Sequence, residues 1–214
     1  MQELSLLSCQ LSRLPDDLGN CESLTELFLN YNRIYRLPTS ITQLSNLKAL
    51  YLDSNQLRTL PESIGELRNL TKLFLALNNL ESLPESIGQL ESLNFLALEW
   101  NNLIELPQSI GQLTSLTWLA LDWNELTALP ESIGNLTWLK DLDVENNCLE
   151  FLPDNIGNLV NLQTLRLRHN KLHNLPKSIF KLKSLRYLDL RYNCINVAIQ
   201  GEIKAGFPHC EVLF

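Results

Sequence analysis

This 214-residue chain is short of most features that would place it in a familiar functional class. Five cysteines is an odd count and far below the density of a disulfide scaffold. Basic residues are the minority charge, 17 Lys+Arg against 24 Asp+Glu, and a net charge of −7 argues against a nucleic-acid partner. No run approaches the ~18 consecutive apolar residues of a membrane span. The opening residues MQELSLLSCQ carry neither a basic head nor a clean apolar core, so no secretory signal is expected. Phosphate loops, dinucleotide fingerprints and serine elbows are absent from the sequence. Of the 3 histidines, His169 and His173 stand four apart outside any helical pattern, a spacing without ligand geometry. The expected metal and cofactor content is none. What is abundant is leucine, 51 residues within a 45% apolar composition, far too apolar for a disordered chain.

The leucines are periodic. Written in rows of 23 from Met1, the chain aligns with no insertion through nine rows, 207 residues, with seven left over. A typical row is LTKLFLALNNLESLPESIGQLES, Leu70 to Ser92. Apolar residues recur at positions 1, 4, 6, 11, 14, 18 and 21. Position 9 is asparagine in eight rows, Asn32 through Asn193, and Cys9 in the first. Position 15 is proline in eight rows and position 19 glycine in six. The apolar 4/6 alternation predicts a short strand with one face buried, and successive rows predict a parallel stack of such strands. The asparagine column falls where each strand ends, where an amide can bond backbone groups that the turn leaves unpaired. Cys9 is expected in the same buried ladder as a small weak donor. Proline starts a one-turn helical or irregular return stretch, and glycine is expected to close it conformationally. No single row can bury its apolar side, so the rows fold only as a stack.

The pattern LxxLxLxxNxLxxLPxSIGxL resembles the 23-residue class of leucine-rich repeats, similar to Ras-group and bacterial leucine-rich-repeat proteins. The resemblance implies an α/β solenoid: a horseshoe with a parallel sheet on the concave face and an irregular or short-helical convex side. It also implies that a protein partner binds on the concave face. The expected division is nine repeats over 1–193, the ninth incomplete on its convex side, and a C-terminal cap over 194–214. There the pattern fails, Val197 to Ala205 reads as a short amphipathic helix, and Cys210 to Phe214 as a final strand. The first row has no counterpart of this cap. Its open core end suggests cover by a preceding segment or a second copy.

Positions 3, 5, 7 and 8 of each row are expected on the concave face. These 36 positions, 17% of the chain, hold 10 of the 16 aromatics, where even scattering would put about three. Phe28, Tyr51, Phe74, Phe95, Trp100, Trp118 and Trp123 form an aromatic stripe over rows two to six, and are the candidate anchors for a partner. Charge is polarised as well. Residues 1–161 hold 8 basic and 21 acidic residues, net −13, while 162–214 hold 9 and 3, net +6. Asp53, Glu99, Asp122, Asp141, Asp143 and Glu145 make an acidic stretch, and Arg166, Arg168 and Arg191 a basic one. Asp122, Glu145, Arg166 and Arg168 are the candidate charge readers of a ligand with a basic segment followed by an acidic one. The plain alternative is pairing across rows, Asp143 with Arg166 and Glu145 with Arg168.

The expected function is a non-enzymatic protein- or peptide-binding module with no nucleic-acid partner, monomeric and cytoplasmic. Alternatives are a recognition segment of a larger signalling enzyme, a kinase or GTPase, or a bacterial effector or surface protein. Cys148 and Cys194 stand two rows apart, roughly 9–10 Å at strand spacing, beyond disulfide reach. Cys194 with Cys210 is the one pair worth considering as a bridge. The NLT triplets at Asn69 and Asn135 would be glycosylation acceptors in a secreted chain.

Overall fold

In the computed structural model, residues 2–214 are described; Met1, the first residue of row one, lies outside them. Among the described residues ten three-residue strands form one parallel sheet in strict chain order. They are β1 Glu3–Ser5, β2 Glu26–Phe28, β3 Ala49–Tyr51, β4 Lys72–Phe74, β5 Phe95–Ala97, β6 Trp118–Ala120, β7 Asp141–Asp143, β8 Thr164–Arg166, β9 Tyr187–Asp189 and β10 Glu211–Leu213. From β1 to β9 the pairing steps by 23 residues without a slip, Leu73 against Leu96 and Leu96 against Leu119. The register follows from the period: a one-residue slip would turn the buried leucine of position 4 outward. Return stretches carry one turn of 3-10 helix, for example Gln108–Gln112, entered from a proline in extended conformation. The arrangement is a leucine-rich-repeat horseshoe, with the sheet lining its concave side.

One continuous core runs the length of the stack. Leu93, Leu96, Leu98, Leu103, Ile110 and Leu113 of row five have no exposed surface. In row one, Leu4, Leu6 and Leu11 are only partly buried. At the other end a helix, α1 Val197–Gly206, begins at Asn196, whose side chain accepts from the Ile199 N–H. Its Ile203 and the following Phe207 are buried against the last rung, and β10 pairs with β9.

Two columns behave differently from expectation. Glycine at position 19 has no positive φ, so it is not there for backbone freedom. It is there for room: a Cβ on Gly111 would meet the Ser132 carbonyl oxygen of the next return stretch at 2.3 Å. Gly111→Ala therefore has to push two turns apart. Overpacking of this kind costs ~1–3 kcal/mol, and the stiffer unfolded chain returns ~0.4–1 kcal/mol. The expected net loss is about 1 kcal/mol in urea unfolding; an unchanged midpoint would reject the close-approach account. Cys9 is the second correction. It is exposed, and its thiol donates only to the carbonyl of Leu7, 3.4 Å away in the same rung. No rung precedes it among the described residues, so nothing covers it as neighbouring rungs cover the asparagines.

Those asparagines form the ladder the sequence implies. Asn101 is buried; its Nδ2 donates to the Leu98 carbonyl of its own rung and the Leu75 carbonyl of the rung before, both at 3.0 Å. Its Oδ1 accepts from the Leu80 N–H at 2.9 Å. Each amide thus ties the exit of one strand to its neighbour and completes backbone hydrogen bonding that the turn interrupts.

Candidate functional site

With positions 4 and 6 committed to the core, positions 3, 5, 7 and 8 project from the sheet as four columns. None of the seven candidate aromatics is buried. Instead of one stripe they occupy three columns. Phe28, Tyr51 and Phe74 at position 5 form a continuous stack, with centroids 4.5 and 5.0 Å apart and planes within 5°. Phe95 and Trp118 stand at position 3 of β5 and β6. Trp100 and Trp123 stack at position 8, 4.2 Å apart, each 46% exposed. The rung repeat explains the stacking, because like residues in one column sit one strand spacing apart, about 4.8 Å. Column identity changes at rung five: position 5 shrinks to Ala97 and Ala120 while the rings move to the flanking columns.

Position 8 has a property that periodicity did not reveal. In every rung its residue takes the left-handed conformation, including Trp100 at φ 57° and Trp123 at φ 56°. Bulky residues avoid this region, and it persists only where surroundings enforce it. Here the ladder enforces it. The Trp123 N–H donates to the Glu145 carbonyl, and the Trp123 carbonyl accepts from the Asn101 N–H. The two indoles are thus locked outward on a rigid turn.

The charged candidates sit along position 7 and the C-terminal part of position 5. Glu99, Asp122 and Glu145 follow one another in the position 7 column, with Asp143 beside them on β7. Burial against the sheet, then the neighbouring Glu99 and Glu145 charges, push the Asp122 carboxyl up to about 6, against the opposing effect of Arg166. Burial, followed by the charges of Asp122 and Asp189, also pushes Asp143 up to about 6, although the Glu145 N–H and Arg166 work the other way. Glu99, Glu145 and Asp53 are raised as well, each mainly by burial. Asp53 is the best satisfied of the set, accepting from Asn30 Nδ2 at 2.8 Å and the Ala76 N–H at 2.9 Å. Glu99 is the least satisfied: its Oε2 is shielded from solvent and has no hydrogen-bond partner among the described residues.

Of the two expected cross-rung pairs, Asp143–Arg166 is present at 3.6 Å. Glu145–Arg168 is not. Arg168 instead lies over the Tyr192 ring at 4.9 Å, and its Nε is buried without a hydrogen-bond partner among the described residues. Tyr192 also stacks on His169, centroids 4.2 Å apart. A planar guanidinium stacked over a ring face gains cation–π attraction. Sequence reasoning passed over Asp189, which is 1% exposed and bound by Arg191 of its own rung. Burial works to raise this carboxyl, but the side-chain and backbone hydrogen bonds from Arg191 hold it below the usual range. The signal was there in the sequence: aspartate at position 5 with arginine at position 7, on one face two residues apart.

Among the described residues these columns stand on the open face of the sheet. A cavity of about 660 Å³ lies elsewhere, beside Arg13, Pro15, Arg36 and Pro38 on the return side of the first two rungs. Among the described residues no group of three or more His, Cys, Asp or Glu is placed to hold a metal ion. All five cysteines are free, Cys194 and Cys210 included. No helix of the described residues is long and apolar enough to cross a membrane.

Comparison with known proteins agrees with this geometry. The leucine-rich repeat region family matches residues 73–151 and 131–201, and the leucine rich repeat family matches residues 1–57. No curated protein matches significantly in sequence. Among solved structures, the leucine-rich-repeat ectodomain of the Arabidopsis thaliana membrane receptor kinase GASSHO1/SCHENGEN3, in complex with CASPARIAN STRIP INTEGRITY FACTOR 2, is 34% identical with a TM-score of 0.81. It covers 90% of this chain, which spans 24% of that structure. The plant peptide hormone receptor RGFR1 in complex with RGF2 is 28% identical over the whole chain, TM-score 0.77, of which this chain spans 39%. An internalin from Listeria monocytogenes has the same fold at 23% identity and a TM-score of 0.84, with this chain spanning 60% of it. The 23-residue register, the asparagine ladder and the family matches together make this chain a member of the leucine-rich-repeat proteins.

Proposed function

We propose that the chain is a non-enzymatic recognition module that holds a protein or peptide partner across its concave sheet face. Phe28, Tyr51, Phe74, Phe95, Trp100, Trp118 and Trp123 supply contact area, while Asp122, Glu145, Arg166 and Arg168 orient the ligand by charge. The observation that carries this reading is the pair Trp100–Trp123. Two indoles in a disfavoured backbone conformation, each 46% exposed, are held rigidly outward on the face where acidic and basic columns meet. Rigid exposed rings lose little entropy on binding, as interface anchors require. That a solved structure 28% identical to this chain is a peptide hormone receptor, RGFR1, in complex with RGF2 supports a peptide or protein partner here.

Free thiols at all five cysteines support a cytoplasmic setting over secretion. Residues 194–214 serve as a cap, an assignment supported by the burial of Ile203 and Phe207 against the last rung. A second reading makes these repeats one part of a larger signalling protein. It is supported by the small share of the plant receptors that the chain spans.

The test compares partner capture from native lysate by the wild type and by the Trp100→Ala/Trp118→Ala/Trp123→Ala variant, with folding checked by circular dichroism. The expected result is at least about a tenfold loss of affinity for the captured partner. Undiminished binding by the folded triple variant would end the concave-face reading.

A further inference from the structure

The position 7 and position 5 columns place Glu99, Asp122, Asp143 and Glu145 together over rungs five to seven, beside the exposed edge of the Trp100–Trp123 stack. Neighbouring side chains leave this group short of positive charge. Two cations face these four carboxylates: Arg166, 3.6 Å from Asp143, and Arg168, which acts on Glu145 while lying over the Tyr192 ring. Lys72 lies over the Phe95 ring, 6.0 Å from its centroid, in the position 3 column. The floor between the columns is apolar: Ala76, Ala97 and Ala120 are 7%, 1% and 3% exposed, covered by the side chains around them. The carboxylates are therefore held against hydrocarbon, and Glu99 Oε2 has no hydrogen-bond partner among the described residues.

We propose that this patch is the seat of one basic side chain, arginine or lysine, of the bound partner, lying along the Trp100–Trp123 stack with its charge against Glu99 and Asp122. The proposal rests on the concave face being the binding face and adds the chemistry read there. The aliphatic stem of an arginine or lysine packs along the exposed ring edges while its charge reaches the carboxylates. The adjacent carboxylates complete the seat with charge-assisted hydrogen bonds. A cation also relieves the crowding of like charges that raises Asp122 and Asp143. The occupant is basic rather than apolar, because an apolar group would cover these carboxylates without compensating their lost hydration.

The experiment titrates the full chain with two blocked peptides, free of tryptophan and tyrosine and alike except for a central arginine or its uncharged analogue citrulline. Indole fluorescence is the readout. The arginine peptide is expected to bind roughly tenfold more tightly than the citrulline peptide, with the gap shrinking at high salt. In the Glu99→Gln/Asp122→Asn variant, which keeps side-chain volume, the gap is expected to vanish. Equal affinities for the two peptides, a preference that survives in the variant, or no spectral change at millimolar arginine peptide would each overturn the proposal. The two readings separate cleanly. If the partner captured from lysate is lost by the triple tryptophan variant but held unchanged by Glu99→Gln/Asp122→Asn, concave-face binding stands and the cation seat falls.

Discussion

Replacing Asn124 by alanine is expected to cost about 2–4 kcal/mol, a large loss for one uncharged polar side chain. Its Nδ2 donates to the Leu98 carbonyl at 2.9 Å and the Leu121 carbonyl at 3.0 Å, and its Oδ1 accepts from the Leu103 N–H at 2.9 Å. The side chain is 7% exposed, so water cannot take its place. The Leu103 N–H would be left unsatisfied, at ~1–3 kcal/mol, while the Leu98 and Leu121 carbonyls would each lose one of two bonds and keep those from Asn101 Nδ2 and Asn147 Nδ2. The turn that holds Trp123 at φ 56° would lose its anchor as well. Urea unfolding followed by tryptophan fluorescence measures the loss. Asn193, at the last rung, makes the same bonds to Leu167, Leu190 and Leu172 but is only half-buried. Asn193→Ala is expected to lose about 1–2 kcal/mol, because solvent can reach the freed groups. Equal losses at the two sites would show that burial is not what gives the ladder its strength.

Mild acid is expected to stabilise the protein. Asp122 and Asp143 titrate near 6 in the folded chain and near 3.8 when unfolded. Between those values the native state binds protons that the unfolded state does not, so stability rises as pH falls from above 6 toward 4. Full conversion of the two shifts would give ~3 kcal/mol each at 1.36 kcal/mol per pKa unit. Both groups keep solvent contact, which screens the effect. The gain from pH 7.5 to pH 5 is therefore expected to be about 2 kcal/mol in all, with Glu99, Glu145 and Asp53 contributing in the same direction. Asp189 works oppositely, since its lowered carboxyl loses stability as it protonates, but only in stronger acid. Melting temperatures at the two pH values, for the wild type and for Asp122→Asn/Asp143→Asn, are the check. The variant is expected to be more stable than the wild type at pH 7.5 and nearly flat toward pH 5. A wild type that weakens steadily from pH 7.5 to pH 5 would refute the assigned shifts.

These two effects differ in how visible they were beforehand. The asparagine ladder is legible in one dimension, because a residue repeated every 23 positions at a strand exit has one place to go in a stack. The acid effect is not. That Asp122 and Asp143 share a half-buried patch depends on the lateral spacing of columns, on the alanines beneath and on where the arginines settle. Arg168 illustrates the point: by row number it faces Glu145, yet it lies over Tyr192. Glycine at position 19 was visible as a column, but its reason was misjudged. A close approach between neighbouring turns exists only once the turns are stacked. Cys9 was misplaced on the same ground, since a ladder position buries its residue only when rungs lie on both sides.

Sequence alone therefore determined the fold, the rung register, the buried leucine columns and which residues could reach the concave face. All of these follow from the period and from the cost of leaving apolar side chains and backbone amides unsatisfied. Only the tertiary structure decided that the rings form three columns instead of one stripe, that Trp100 and Trp123 stand on left-handed turns, and that four carboxylates crowd an apolar floor with little cation to balance them. Side-chain conformation, local desolvation and the competition for a neighbour's charge depend on distances across rungs, and a repeat pattern fixes the order of residues without those distances.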